Sequence, residues 1–442
     1  MSLLSKLKDD PLLSKVLRSS GALLSTNTIS LGLSVVQSVL AARLLEPLEF
    51  GLVAIIMSYA STVNGLLSFR MSELVVRYGG EYLERGEKEK TAALVKAAAL
   101  SEAAVSLLAF LVVTITAALA SQHLAKIPNT AILFIIYSLG LLANFNTETS
   151  TGVLQMLGKI KYQGVINLVQ SIITAGMITF AYFTNGSLQF ILYAYLTGKI
   201  VLGLGTFFTA LFQLNKKLGD NWWKAKINSI PKIKELTHFA ISTNLSATAI
   251  LVFRESDILW VGYFFTSTEA GLYKVAYGII SLFSVASNPF ILTTYPEINK
   301  LVTQKAWPRL KDFLKKITTF SAVYNLALAA GFVIFGKWLL SIYGGQYVAA
   351  YPVLLVLLVG FTFNYILYWN RPLLLSLGLP QFPIYVTLIV GLIKLALAFP
   401  LFPRYGLIAA GGLLSFYYIA SVGAIVIRGL KEIRQNENRS HY

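Results

Sequence analysis

Residues Tyr162–Gly198, YQGVINLVQSIITAGMITFAYFTNGSLQFILYAYLTG, run without a single Asp, Glu, Lys or Arg. A helix crosses ~30 Å of hydrocarbon in roughly 20 residues, so this stretch is too long for one crossing and suits two. Asn185-Gly186-Ser187 in its middle is a turn signal. The stretch therefore reads as two consecutive membrane-spanning helices. The uncharged runs Ser19–Ala42, Phe50–Phe69, Ile127–Thr147, Val275–Pro296 and Pro372–Ile393 are each long enough for a crossing of their own.

Working outward from these runs, spans are expected at 19–43, 49–70, 91–119, 128–154, 162–184, 187–213, 234–262, 268–293, 312–335, 349–371, 379–402 and 405–428, twelve in all. Lys and Arg fall in every second gap between them. One side receives 27 and the other only four, Arg43, Lys126, Lys337 and Arg404. By the positive-inside rule both termini are cytoplasmic, which agrees with an even number of spans.

Composition excludes several classes. Hydrophobic residues make up 56% of the chain and charged residues 13%, so soluble domains are not expected. The absence of cysteine removes disulfides, thiolate metal sites and cysteine nucleophiles together. The three histidines show no ligand spacing, and no metal or cofactor is expected. No phosphate-binding glycine loop ending in Gly-Lys-Ser/Thr is present, so ATP is not expected to drive a cycle. The net charge of +17 flanks apolar helices and forms no single basic face, so nucleic acid is not an expected partner, whereas anionic membrane lipids are. Met1–Ser20 reads as an interfacial segment, not a cleavable leader.

The chain repeats itself once. Ser25-Thr26-Asn27 opens a run that ends at Glu49-Phe50-Gly51-Leu52, and Ser242-Thr243-Asn244 opens one that ends at Glu269-Ala270-Gly271-Leu272. Each lies at the start of a six-helix set in the same orientation. Two such sets imply bundles related by an axis along the membrane normal. The expected organisation is an interfacial segment 1–18, a first bundle 19–213, a cytoplasmic linker 214–233, a second bundle 234–428 and a cytoplasmic tail 429–442.

Five stretches carry a family resemblance: Ala41–Gly51 (AARLLEPLEFG), Val75–Tyr82 (VVRYGGEY), Arg254–Phe264 (RESDILWVGYF), Glu269–Ala276 (EAGLYKVA) and Pro296–Ile298 (PEI). The chain resembles the polysaccharide transporter branch of the multidrug/oligosaccharidyl-lipid/polysaccharide exporter superfamily, which includes O-antigen flippases. The resemblance implies an all-α membrane protein with two pseudo-symmetric six-helix bundles in a V shape, working by alternating access in a bacterial or archaeal plasma membrane. It implies outward movement of an undecaprenyl-diphosphate-linked oligosaccharide, with polysaccharide polymerase or assembly proteins as partners. A cation-coupled drug exporter of the same fold is the alternative. A membrane glycosyltransferase would need catalytic groups in a sizeable outer loop, and the outer loops here are short, so no enzyme is expected.

Charges inside spans cost roughly 2.5–3.5 kcal/mol each on insertion scales and mark candidate sites. Lys199 and Lys394 lie near the middles of their helices, while Arg70 and Arg371 lie near helix ends. Arg254, Glu255 and Asp257 cluster in the seventh span, where Arg254 and Asp257 stand at i,i+3 and are placed to pair. Cations in a cavity suit a diphosphate headgroup, so Arg254, Lys199, Lys394, Arg70 and Arg371 are the substrate-binding candidates. Glu102, Glu148, Glu255 and Asp257 are the candidates for ion coupling. For Lys199 and Lys394, neutralisation by one of these acids is the competing structural role. Most aromatics near helix ends, among them Tyr263, Trp338, Tyr343, Trp369 and Tyr405, are expected to form an interfacial belt.

Overall fold

A computed structural model describes residues 11–68, 70–227, 248 and 251–439 of the chain, and every regular element among them is helical. The helices are α1 (Pro11–Leu67), α2 (Met71–Leu74), α3 (Gly80–Glu84), α4 (Lys88–Ala120), α5 (Ala131–Ala143), α6 (Thr147–Met156), α7 (Lys161–Phe183) and α8 (Leu188–Leu218). After them come α9 (Asp257–Phe264), α10 (Ser267–Thr303), α11 (Trp307–Tyr343), α12 (Tyr351–Ile366), α13 (Asn370–Ser376) and α14 (Phe382–Arg439). Single π turns at Val75–Gly79, Ser121–Ala125 and Leu251–Glu255 interrupt the regular pattern.

The turn expected at Asn185-Gly186-Ser187 separates α7 from α8, with Asn185 in the left-handed region at φ 51°. Two expected gaps are bends within long helices. In α1 the bend is at Glu46 (φ 57°), directly before Pro47, whose fixed φ suits the first turn of the next helical segment. In α14 it is at Gly406 (φ 59°), just after Pro400 and Pro403. The 58 residues of α14 would extend about 85 Å at 1.5 Å per residue if straight, far longer than one bilayer crossing needs. Among the described residues seven segments satisfy length and apolarity for a span, α14 being one of them.

Several boundaries differ from the expected ones. Residues 11–18 are continuous with α1, so no separate segment ends at 18. The helix expected to stop at 213 continues to Leu218, and the expected tail is helical to Arg439. Residues 1–10, 228–247 and 440–442 lie outside the described residues, and with them part of the expected linker, the start of the seventh span and the Ser242-Thr243-Asn244 half of the repeat.

The larger difference is that the fourth and tenth expected spans, 128–154 and 349–371, are broken. The fourth splits into α5 and α6 at Asn144–Asn146, and the tenth into α12 and α13 at Leu367–Trp369. Each second piece ends on Leu-Gly with the glycine at positive φ, Gly158 at 65° and Gly378 at 76°. Thus the repeat extends to a matched break and stop in both halves. Asn144 explains the first break: its Nδ2 donates to the Gly140 carbonyl at 2.7 Å and its Oδ1 accepts from Thr147 Oγ1 at 3.0 Å. Such side-chain bonds compete with the helical ladder.

The described residues form two compact units. One comprises those within 1–45, 56–122 and 127–248, and the other those within 46–55, 123–126 and 249–442. In the first, α8 packs along α5, α6 and α7, and α4 packs on α5. Met71, Val75, Val95, Val153, Leu154 and Leu214 form a buried core there. In the second, α12 packs against α10, α11 and α14, over a core containing Trp307, Leu310, Leu314, Trp369 and Leu373. Large apolar side chains stand exposed along α11, including Val323 (68%), Ile334 (72%) and Trp338 (62%), as a hydrocarbon-facing surface requires. Two expected belt residues are corrected: Tyr343 and Trp369 are buried, and Trp369 Nε1 donates to Thr318 Oγ1 at 2.8 Å.

Within the second unit the repeated glycines meet each other. A Cβ placed on Gly51 would stand 1.7 Å from the Ser267 carbonyl oxygen, and one on Gly271 would stand 2.2 Å from the Pro47 carbonyl oxygen. Both obstacles are backbone, which cannot rotate aside. Gly51→Val is therefore expected to destabilise the protein by about 1–3 kcal/mol, the usual cost of overpacking, or to prevent its accumulation. A thermal melt of the purified variant in detergent checks this, and an unchanged midpoint would contradict the contact.

Candidate functional site

The site begins with a local irregularity. The π turn Leu251–Glu255 and the non-helical Ser256 (φ −85°, ψ 6°) precede α9 and change the angular phase of the residues on either side. Arg254 and Asp257 therefore do not pair, although an unbroken helix would bring them together. The Arg254 guanidinium lies over the Tyr418 ring, 5.4 Å from its centroid, and Arg254 Nε has no hydrogen-bond partner among the described residues.

Arg254 and Arg371 line the same cavity of about 260 Å³, with Tyr365, Tyr368, Tyr417 and Tyr418. Arg371 is placed there by the break between α12 and α13, as are Asn364 and Asn370, while Thr387 and Ser421 come from α14. Broken helices at membrane depth are tolerated where they line polar cavities, and this break does so. Among the described residues no carboxylate lines the cavity. The chemistry on offer is two guanidiniums, each with a planar fork of N–H donors, ringed by hydroxyl and amide groups. That set suits an anion carrying hydroxyls.

Lys394 is close by but committed elsewhere. Its ammonium forms an ion pair with Asp257 and donates to the Phe253 carbonyl at 2.8 Å. Tyr273 OH donates to the other Asp257 oxygen at 3.0 Å. The Lys394 and Asp257 side chains are only 4% and 9% exposed, and Lys394 does not line the cavity. Glu255, by contrast, is exposed.

The remaining candidates belong to the first unit, where Glu102 meets the backbone of Glu148 and the two cations have other partners. Lys199 Nζ sits 4.9 Å above the Tyr137 ring centroid, a cation–π contact. Arg70 forms an exposed ion pair with Glu73 at 3.0 Å. Such pairs contribute little, so Arg70→Gln is expected to shift stability by less than about 1 kcal/mol in a thermal melt. Glu102 accepts the backbone N–H groups of Glu148 and Thr149, both at 2.8 Å, and so caps the start of α6 from a neighbouring helix. Glu148 accepts from Ser72 Oγ at 2.5 Å.

Sequence reasoning missed the tyrosines and asparagines of the cavity. A signal was present in Asn364-Tyr365 with Tyr368, and in the Tyr417-Tyr418 pair, polar groups inside otherwise apolar runs. Nothing in one dimension aligns them with Arg254.

This architecture is that of a multi-pass membrane protein with the fold of multidrug/oligosaccharidyl-lipid/polysaccharide transporters. The chain is similar to an inward-facing multidrug resistance MATE family transporter of that superfamily, with TM-score 0.68 and 16% identity over 94% of this chain and 96% of that one. It is also similar to the lipid II flippase MurJ in an inward closed conformation, with TM-score 0.67 and 15% identity over 95% of this chain and 90% of that one. Through its residues 16–302, the chain belongs to the polysaccharide biosynthesis protein family. Its relative, inner membrane protein YghQ of Escherichia coli (strain K12), is 24% identical over 353 residues, 77% of this chain and 95% of that protein. The chain is a bacterial inner-membrane protein that crosses the bilayer several times.

Proposed function

We propose that the protein is a flippase, not an enzyme, that carries an undecaprenyl-diphosphate-linked oligosaccharide from the cytoplasmic to the outer leaflet. The glycan is an O-antigen, capsule or exopolysaccharide repeat unit. The observation that carries this reading is the cavity in which Arg254 and Arg371 converge among four tyrosines, with no carboxylate among the described lining residues. Arginine forks grip phosphate oxygens in pairs, and tyrosine, asparagine and threonine groups exchange hydrogen bonds with sugar hydroxyls. The lipid tail stays in hydrocarbon while the charged headgroup passes through the protein. Twelve crossings with both termini cytoplasmic complete the proposal, with alternating access driven by H⁺ or Na⁺ antiport, Glu102 and Glu148 being the acids in the first unit. Polymerase or assembly proteins of the same glycan are the proposed partners.

A cation-coupled drug exporter of this fold is the alternative, and the acids of the first unit are the feature that favours it. An organic cation would meet two guanidiniums in the second unit, which repel it. The test is binding of inorganic pyrophosphate and of ethidium to the purified chain. The flippase reading expects pyrophosphate to bind in a manner that requires Arg254. Ethidium binding without any pyrophosphate binding would favour the exporter.

A further inference from the structure

Arg254 is aimed into the cavity by a turn that is closed by its own Ser256 N–H to Leu251 carbonyl bond at 3.0 Å and is also held from outside. In the π turn Leu251–Glu255 the residue before Arg254 is held at two points by α14. Lys394 Nζ donates to the Phe253 carbonyl at 2.8 Å, and Gly391, one turn earlier, seats the Phe253 ring. A Cβ on Gly391 would fall 2.2 Å from Phe253 Cγ, so the ring occupies the space a side chain would need. Lys394 is itself fixed by Asp257, on the far side of the same turn, and Asp257 is fixed by fully buried Tyr273. The network therefore clamps both ends of the segment that carries Arg254.

We propose that Lys394 is a positioning residue for Arg254: with Asp257 and Tyr273 it sets the turn that presents the guanidinium to an anionic headgroup, and it does not touch the substrate itself. Two buried charges are an expensive way to hold a turn, since each loses its hydration. Their cost is offset by mutual pairing and by hydrogen bonds to Phe253 and Tyr273, which fix one geometry. Lys394 thus leaves the substrate-binding set expected from the sequence, and Asp257 serves the clamp instead of pairing with Arg254. This inference rests on the cavity being an anion site.

The test is a double-mutant cycle on the full chain in nanodiscs, with inorganic pyrophosphate as the probe. Lys394→Met and Arg254→Gln are each expected to weaken binding about tenfold or more, and the double variant no more than Arg254→Gln alone. Multiplying effects in the double variant would show that Lys394 contacts the anion directly and would overturn the proposal. Tyr273→Phe, which removes one hydrogen bond and keeps the ion pair, should give a smaller loss that likewise vanishes in the Arg254→Gln background. Hydrogen exchange over residues 251–257 supplies a readout independent of any ligand. It should accelerate at least tenfold in Lys394→Met and in Gly391→Ala but not in Arg254→Gln. Unchanged exchange in Lys394→Met removes the clamp, whatever the probe does. If the wild-type chain ignores pyrophosphate while these exchange effects hold, the anion reading fails and the turn clamp stands without its proposed purpose.

Discussion

Arg254→Gln is expected to reduce glycan export in a complementation host by roughly ten- to a hundredfold at matched expression. The size follows from the contact: a hydrogen-bonded charged group contributes about 1.5–3 kcal/mol, and each 1.4 kcal/mol is a factor of ten. Arg254 is half-buried over the Tyr418 ring, where its interaction with an anion is weakly screened. Arg254→Lys keeps the charge but loses the paired donors, so it should recover only part of the activity. Arg371 is exposed, and its replacement by Gln should cost less than that of Arg254. Cell-surface glycan measured against membrane abundance gives the answer. Full export by Arg254→Gln would remove the residue from the transport path.

The second large effect is structural and lies in the first unit. Glu102→Ala is expected to lower stability by at least about 2 kcal/mol. Glu102 is buried and accepts two backbone N–H groups at the start of α6, both at 2.8 Å. Its removal leaves both donors without an acceptor, and an unmet buried polar group costs about 1–3 kcal/mol. A carboxylate at a helix N-terminus also has a favourable dipole interaction. Glu102→Gln keeps one acceptor oxygen and should fall between the two. Thermal denaturation followed by size-exclusion chromatography in detergent measures the order wild type, Gln, Ala. An Ala variant as stable as wild type would mean that water meets the N–H groups equally well.

The same residue marks the limit of what one-dimensional reading reaches. The turn at Asn185-Gly186-Ser187 was legible because it interrupts an uncharged run twice the length of a crossing. The gaps near Pro47 and Gly406 were legible for another reason, since charges and prolines cluster there. The break at Asn144–Asn146 was not, because the stretch stays apolar enough for a crossing despite its asparagines. What sustains that break is distant in sequence: Glu102 on α4, and Gly203 on α8, where a Cβ would stand 2.3 Å from the Ala143 carbonyl.

In the candidate site, intramembrane charge singled out Arg254 and Arg371, since the cost of burying them is visible in any hydropathy profile, and the structure places both on one cavity. Their meeting was not visible, because it depends on the break between α12 and α13. For Lys394, Asp257 was one of four acid partners open in the sequence, and Arg254 at i,i+3 competed for the same carboxylate. The π turn undid that assignment: spacing arguments assume 3.6 residues per turn, and a single wider turn re-aims every side chain beyond it.

Passage of a lipid diphosphate through the Arg254–Arg371 cavity, as proposed, is open to direct measurement. The direct measurement reconstitutes the chain in vesicles containing a fluorescent undecaprenyl-diphosphate-linked oligosaccharide in both leaflets. With an ion gradient imposed, the fraction accessible to an external quencher is followed over time. The account predicts gradient-dependent enrichment in one leaflet by the wild-type protein and none by the Arg254→Gln/Arg371→Gln variant. Equal translocation by that variant, or transport of organic cations with no movement of the lipid diphosphate, would contradict it.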